Sequence, residues 1–324
     1  MTKKSKPIIK FGFTSAVSII GAVFIFAVLL KNSALASNEV KNALKICANM
    51  LIPSLFPLTV ASEIMTNTGA IEKLTRKFSS AVAKILGVSK NATTPYFLGL
   101  FGGYTSSCKS AVLLYQSGKI TRQDCESIIA MSNMPSFAFM TGFVGIGIFE
   151  NSTYGWVLWI IAVLSTLILG TINRLFFKKE KPYYKIATVT QSSKNSFSKI
   201  FVGALTHSAY AMLIICACVV FFSVMIAVLS LSLKDIPLPD SIKNTLLGSL
   251  EITQGINSCA NIKGLSPKML SCAYLVGWSG LCVHFQVIAL CEDADLSFRK
   301  YFVFKILQGV VCTLLALAFL SFKP

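Results

Sequence analysis

The stretch from Pro95 to Gly147 is the feature that most constrains how this chain can fold. It is apolar enough to enter a membrane, yet it contains several glycines, a cluster of hydroxyl-bearing residues, a lysine and Pro135. Helices that face lipid avoid such residues, because lipid offers no partner for charges or for freed backbone groups. Interrupted helices therefore occur where protein or a water-filled cavity surrounds them. We expect a solute pathway along this stretch.

Composition places the whole chain in a membrane. Of its 324 residues 54% are hydrophobic and 13% charged, and the mean hydropathy is +0.69, which is too apolar for a soluble domain. The net charge of +17 comes from Lys and Arg at the ends of apolar runs. This follows the positive-inside rule and argues against a nucleic-acid partner. The ten cysteines lack metal-ligand spacing, so we predict small core residues and no metal site.

Apolar runs divide into uninterrupted and interrupted ones. The uninterrupted runs are long enough to cross ~30 Å of hydrocarbon; they are 11–30, 153–177, 200–230 and 299–321. The interrupted runs are 44–65, 95–116, 124–149, 244–263 and 269–291. The first run also fits a cleaved signal peptide, although its length favours an uncleaved span. Together the runs predict an all-α polytopic membrane protein of about 8–10 membrane segments with re-entrant or broken helices.

A basic linker separates two membrane halves. The predicted N-terminal half is 1–177, the linker 178–199 is predicted to be cytoplasmic, and the C-terminal half is 200–324. Within the first half, residues 70–90 carry apolar side chains at helical spacing with basic residues off that stripe. This pattern predicts an amphipathic helix in the membrane interface.

The two halves show weak internal similarity. Residues 51–59 (LIPSLFPLT) can be aligned with 246–254 (LLGSLEITQ), and 98–110 (LGLFGGYTSSCKS) with 275–286 (LVGWSGLCVHFQ). Paired interrupted segments of this kind indicate a transporter site between repeats, so we predict two related halves. Whether the repeats are inverted or parallel stays open. The two prolines of 44–65 favour a re-entrant hairpin there.

Polar residues at membrane depth are the candidate binding residues. Lys109 follows a Ser/Thr cluster, where a cation beside exposed amides binds a carboxylate or another anion; the alternative is a lysine that snorkels to the head groups. Glu251 lies in an acceptor-rich cluster that fits Na⁺ coordination, proton exchange or an ion pair with Lys109. Its alternative role is a structural network that closes the hairpin. We expect no bound cofactor, with Na⁺ or H⁺ as the coupling ion.

Two other candidate residues each fit two possible roles. His284 fits a buried, hydrogen-bonded structural histidine or a proton relay, and Asn133 fits a simple helix kink or direct solute contact. No nucleophile elbow and no Walker motif is present, so we expect neither an enzyme nor an ATP-driven pump. The candidate solute-binding residues are Thr105, Ser106, Ser107, Lys109, Asn133, Ser136, Glu251, Thr253, Gln254, Asn257, Ser279, His284 and Gln286.

Three motifs carry a family resemblance. They are GGYTSSCKSAVLLYQSGKITRQDCESIIAMSNMPSFAFMTGFVGIGIF at 102–149, SLEITQGI at 249–256 and LVGWSGLCVHFQV at 275–287. In content and order they resemble the YlbJ-type sporulation integral membrane proteins of the nucleoside-recognition (Gate-domain) superfamily. The chain departs from the family pattern at Gly103 to Cys108, which lack a proline, and at Asn133, where the family has paired asparagines.

The resemblance implies a function and a location. It implies a multi-pass protein in the cell membrane or forespore membrane of a spore-forming bacterium, and a permease for a small anionic or aromatic solute such as dipicolinate. Its departures leave an altered substrate open. The alternatives are a nucleoside-type transporter and a non-transporting scaffold for spore assembly. Its expected partners are the solute and the lipid bilayer, with self-association and other sporulation membrane proteins left open.

Overall fold

A computed structural model describes residues 13–176, 196–233 and 235–322. Within these ranges the chain is all-α and contains no β-strand. The basic N-terminal tail and most of the linker predicted at 178–199 lie outside the described residues.

Within each described range the helices follow one another with short connections. The N-terminal part comprises α1 (Phe13–Lys31), α2 (Ser33–Ile46), a π-helical segment (Cys47–Leu51), α3 (Ile52–Asn67), α4 (Ala70–Leu86), α5 (Thr93–Gln116), α6 (Arg122–Ser132), a second π-helical segment (Phe139–Ile148) and α7 (Ser152–Phe176). The C-terminal part comprises α8 (Phe197–Ser232), α9 (Asp240–Gly248), α10 (Ile252–Cys259), α11 (Leu265–Trp278), α12 (Leu281–Leu290) and α13 (Arg299–Ser321).

Length and composition identify the membrane-crossing helices among the described residues. Those long and apolar enough to cross a membrane are Ser33–Met65, Ser152–Phe176, Phe197–Leu231, Leu265–Leu290 and Arg299–Ser321; shorter apolar helices are Ile19–Lys31 and Phe139–Ile148. The prediction of an all-α polytopic membrane protein is confirmed. The predicted count of about 8–10 segments also includes the interrupted helix α5 and the α9–α10 hairpin, which a length criterion does not count.

The predicted re-entrant hairpin at 44–65 is wrong. Helices α2 and α3 join through the π-helical segment Cys47–Leu51 into one continuous helix, Ser33–Met65. A proline removes one hydrogen bond and bends a helix, but it does not force the chain to reverse. In membrane helices π turns and hydroxyl side chains satisfy the freed groups. The Ser54 hydroxyl donates to the Met50 carbonyl oxygen at 2.6 Å in this region.

The other four predicted interruptions are confirmed. Helix α5 breaks at Gly103, whose φ is 76° and ψ −166°, and α11 is separated from α12 at Ser279 and Gly280, with φ of 74° and 84°. Residues 133–136 interrupt the path from α6 into the second π-helical segment. Residues 249–251 separate α9 from α10, which pack against each other as a hairpin.

The relation between the two halves stays a prediction. Segments 98–110 and 275–286 both contain an interruption at a residue of positive φ, as their alignment suggests. The other aligned pair differs, since 51–59 lies in a continuous helix whereas 246–254 contains the hairpin reversal.

Packing divides the helices into two groups. Helix α8 packs mainly on α2 and α3, whereas α11 packs on α13, α5 on α6, and α7 on the second π-helical segment. The α11–α13 contact is close enough that a Cβ on Gly277 would lie 2.5 Å from the Gln308 carbonyl oxygen. Small residues permit such backbone approach in membrane helices. All ten cysteines are free and none is exposed, as expected for small core residues.

The predicted amphipathic helix is present as α4. Its apolar side chains Leu74 and Phe78 are 66% and 63% exposed, whereas Val82 of the same stripe is partly buried against the core. The buried face of α4, with Ala83 and Leu86, contacts α5 and α7. An exposed apolar stripe flanked by basic residues is what a helix in the membrane interface requires.

Candidate functional site

The interrupted helices surround a small central cavity of about 70 Å³. The α3–α8 side contributes mostly apolar residues, among them Leu55, Ala211 and Ile215, together with Thr59 and Cys218. The opposite side is formed by the interruptions of α5, of the α6–π path and of the α9–α10 hairpin, together with α12. Its polar lining residues are Tyr104, Thr105, Ser136, Glu251, Thr253 and Gln286.

Gly103 allows α5 to restart at the cavity. Its backbone torsions are accessible to glycine at little cost and strained for other residues. A Cβ there would lie 3.3 Å from the Cβ of Ser136 across the cavity wall. The first amides of a new helix have no carbonyl partner in a preceding turn, and its N-terminus carries a partial positive charge. Tyr104 and Thr105, at this start, both line the cavity.

Glu251, at the α9–α10 reversal, lies on the same side of the cavity as Gly103. It is 3% exposed, and its two carboxylate oxygens accept hydrogen bonds from the backbone amides of Thr253 (3.0 Å) and Gln254 (2.7 Å). The side chain therefore caps α10 and also lines the cavity. The structural network predicted as the alternative role of Glu251 is therefore present.

The hairpin reversal also caps α12. The amides of Leu281 and Cys282 donate to the carbonyl oxygens of Ser249 and Leu250, both at 2.9 Å. The Trp278 indole nitrogen donates to Ser249 O at 2.9 Å as well. The freed groups of two interruptions thus satisfy each other, which joins the α9–α10 hairpin to the α11–α12 break.

A buried polar network lies behind the cavity wall and centres on Tyr301 of α13. Asn133 Nδ2 donates to the Tyr301 hydroxyl at 2.6 Å, and His284 Nδ1 lies 2.7 Å from the same oxygen. His284 Nε2 and Asn133 Oδ1 have no hydrogen-bond partner within the described residues. The His284 ring packs edge-on against Trp278 and Phe302, which matches the structural reading of this histidine.

Lys305 of α13 is a functional candidate that sequence reasoning missed. It is 0% exposed, and its ammonium donates to Asn133 O at 2.6 Å, to Ser279 Oγ at 3.0 Å and to Gln308 Oε1 at 2.8 Å. The signal was a lysine within the apolar run 299–321 with Gln308 three positions later, on the same helical face. We interpreted that run as a simple span.

The structure separates the predicted site residues into three groups. Thr105, Ser136, Glu251, Thr253 and Gln286 line the cavity. Ser107, Asn133, Ser279 and His284 are buried behind it. Ser106, Lys109, Gln254 and Asn257 belong to neither group; of these, Ser106 donates to Gly102 O at 3.3 Å and Gln254 donates to the Ser223 hydroxyl.

Lys109 is not where its predicted role requires it. It lies one helical turn beyond Thr105, is exposed, and does not line the cavity. The ion pair suggested between Lys109 and Glu251 is absent from the described part of the chain. The physical reason is that Lys109 is exposed and lies outside the cavity, whereas Glu251 is buried and lines it.

Comparison with known proteins gives one informative match. No family model and no solved structure matches the chain. The chain is 24% identical over 336 aligned residues to the "Sporulation integral membrane protein YlbJ" of Bacillus subtilis strain 168, and the alignment covers 93% of this chain and 81% of that protein. The chain is therefore a multi-pass membrane protein related to the YlbJ-type sporulation integral membrane proteins, the family that its motifs resembled.

Proposed function

We propose that this protein is a permease that moves a small solute across a membrane during sporulation and binds it in the central cavity. The observation that carries the proposal is the convergence of interrupted helices on a cavity with polar lining, inside an otherwise apolar protein. Non-helical backbone at membrane depth is typical of solute sites in transporters. The similarity to a sporulation membrane protein supports the setting.

The lining residues favour a small aromatic solute with polar edges. Tyr104 and Phe139 supply ring surfaces, and Thr105 and Ser136 supply hydroxyl groups. An anionic solute such as dipicolinate would be held by the amides at the restart of α5. A neutral nucleoside is the second candidate. Among the described residues no Lys or Arg lines the cavity, and the charged residue that lines it is Glu251.

Cavity size implies that the described state is closed. A volume of about 70 Å³ holds a few water molecules, whereas pockets for small organic ligands measure roughly 300–1,000 Å³. Binding therefore requires one wall to move. We propose that the α3–α8 wall moves, because most of its residues at the cavity are apolar and α8 packs mainly on α2 and α3.

Uptake by proteoliposomes tests the function. Labelled dipicolinate and labelled uridine are offered to wild type, to Thr105→Val, which removes a cavity hydroxyl at nearly constant volume, and to Thr171→Val as the matched control. Thr171 is exposed on α7 and bonds to its own helix. We expect one solute to enter with wild type and the control, and at least tenfold more slowly with Thr105→Val.

Each other outcome has a defined meaning. Uptake by Thr105→Val as fast as by Thr171→Val would place the solute elsewhere. Uptake of neither solute by folded protein would favour the non-transporting scaffold over the permease.

The proposed location is the cell membrane of a spore-forming bacterium, with the forespore membrane as the finer expectation. The proposal needs no cofactor and no covalent chemistry.

A further inference from the structure

We infer that the Lys305 ammonium fills a built-in cation site, in the place that an exchangeable Na⁺ would otherwise take. The site consists of three oxygens at the junction of two helix interruptions. Its consequence for coupling, that solute movement uses no Na⁺ at this point, rests on the proposed function. The site itself does not.

The ligand set is the kind that binds a hard cation. Asn133 provides a main-chain carbonyl freed at the α6–π interruption, Ser279 a hydroxyl at the α11–α12 interruption, and Gln308 a side-chain amide oxygen. Carbonyl and hydroxyl oxygens are preferred ligands of hard cations, and unwound carbonyls coordinate Na⁺ in transporters with interrupted helices. The three N–H donors of an ammonium match these three acceptors.

The positive charge of Lys305 explains why the three oxygens of the site are needed and why a second cation is excluded. Lys305 is fully buried, and in the described part of the chain the ion pairs involve Arg122 and not Lys305. A buried charge without a counter-charge is costly unless neutral groups solvate it. Since the ammonium already stands among these oxygens, repulsion at short range in a low-dielectric interior keeps Na⁺ out.

A tethered cation has a different mechanical effect from an exchangeable one. Na⁺ joins two helix interruptions when it binds and frees them when it leaves. Lys305 is covalently fixed to α13, so it holds Asn133 and Ser279 together at every stage. The two interruptions therefore move as one rigid unit, and Na⁺ binding cannot join or separate them at this site.

Thermal unfolding of the purified protein in detergent tests the site directly. Wild type, Lys305→Ala and Lys305→Met are compared in NaCl and in choline chloride of equal ionic strength. Lys305→Ala empties the site of three oxygens and leaves room for Na⁺ with water. In Lys305→Met the methionine side chain fills the same space without a charge. We expect equal Tm values in both salts for wild type and Lys305→Met. For Lys305→Ala we expect a gain of about 3 °C in NaCl, at a Na⁺ concentration about ten times Kd.

Several outcomes would overturn the inference. One is a Tm of Lys305→Ala that is the same in both salts, and another is a Lys305→Met protein as stable as wild type. A saturable Na⁺ stabilisation of wild type that Gln308→Ala abolishes would do so too, and this arm holds even if Lys305→Ala does not fold.

Uptake by wild-type proteoliposomes then tests coupling separately. Equal rates with inward Na⁺ and choline gradients are expected, and a Na⁺-driven rate would contradict the coupling consequence. If no solute enters at all, the proposed function fails while the thermal result still decides the site.

Discussion

Substitution of Gly103 by alanine tests whether the restart of α5 builds the cavity wall. The φ of 76° and ψ of −166° at Gly103 cost a residue with a Cβ about 1–3 kcal/mol. The added Cβ would also lie 3.3 Å from both the Cβ and the backbone nitrogen of Ser136, so the cavity wall must shift by a few tenths of an ångström. We expect Gly103→Ala to lose about 2–3 kcal/mol of stability.

Gly203→Ala is the matched control. Gly203 lies in α8, and a Cβ there would meet nothing within 4 Å. Alanine is the better helix former by about 0.5–1 kcal/mol, so this variant should be slightly more stable than wild type. Thermal unfolding in detergent measures both, at about 2 °C per kcal/mol for a chain of this size. A Gly103→Ala protein as stable as Gly203→Ala would refute a strained restart of α5.

Three further predictions concern the cap, the network and the amphipathic helix. Glu251→Gln should lower the free energy of unfolding by about 1 kcal/mol, because one of two cap hydrogen bonds is lost, and Glu251→Ala by more; denaturation in detergent compares them. Tyr301→Phe should cost about 1–3 kcal/mol, since two buried polar groups lose their shared partner. Tyr210→Phe, at a 64% exposed position, should cost almost nothing in the same assay. An environment-sensitive dye on Leu74→Cys should be blue-shifted in proteoliposomes relative to one on Lys77→Cys, and equal spectra would contradict an interfacial α4.

Helix interruptions were predictable because they depend on residues that are close together in the sequence. Glycine, proline or a small polar residue inside an apolar run removes either a hydrogen bond or the steric restriction that keeps a helix regular. Gly103, Pro135 and the Ser279–Gly280 pair all produced this signal. The same reasoning failed at 44–65, because a proline bends a helix but leaves its direction to the packing around it. That helix has α8 beside it, and this contact is not visible in local sequence.

The orientation of charged side chains was not predictable in the same way. Lys109 and Lys305 both lie within apolar runs, and neighbouring serines made Lys109 the obvious candidate. The structure exposes Lys109 and buries Lys305. Which face of a helix is buried depends on the helices that pack against it, and α13 is enclosed by α11, α7 and α6. Only the pairing of Lys305 with Gln308 on one face hinted at a polar interior.

The interruption at 133–136 connects the buried network with the cavity. At one end the Asn133 carbonyl is held by Lys305, and at the other end Ser136 lines the cavity beside Gly103. A solute that needs more room cannot push Ser136 far, because the segment is anchored three residues earlier. The α3–α8 wall lines the cavity mostly with apolar side chains such as Leu55 and Ile215. Its polar contacts to the other wall include hydrogen bonds from Gln286 Nε2 to Cys218 Sγ at 3.4 Å and from Gln254 Nε2 to the Ser223 hydroxyl. Apolar contacts are non-directional and can be exchanged for lipid at little cost. The proposed movement of the α3–α8 wall would therefore break the hydrogen bonds that Cys218 and Ser223 accept from Gln286 and Gln254, and would leave the anchored segment 133–136 in place.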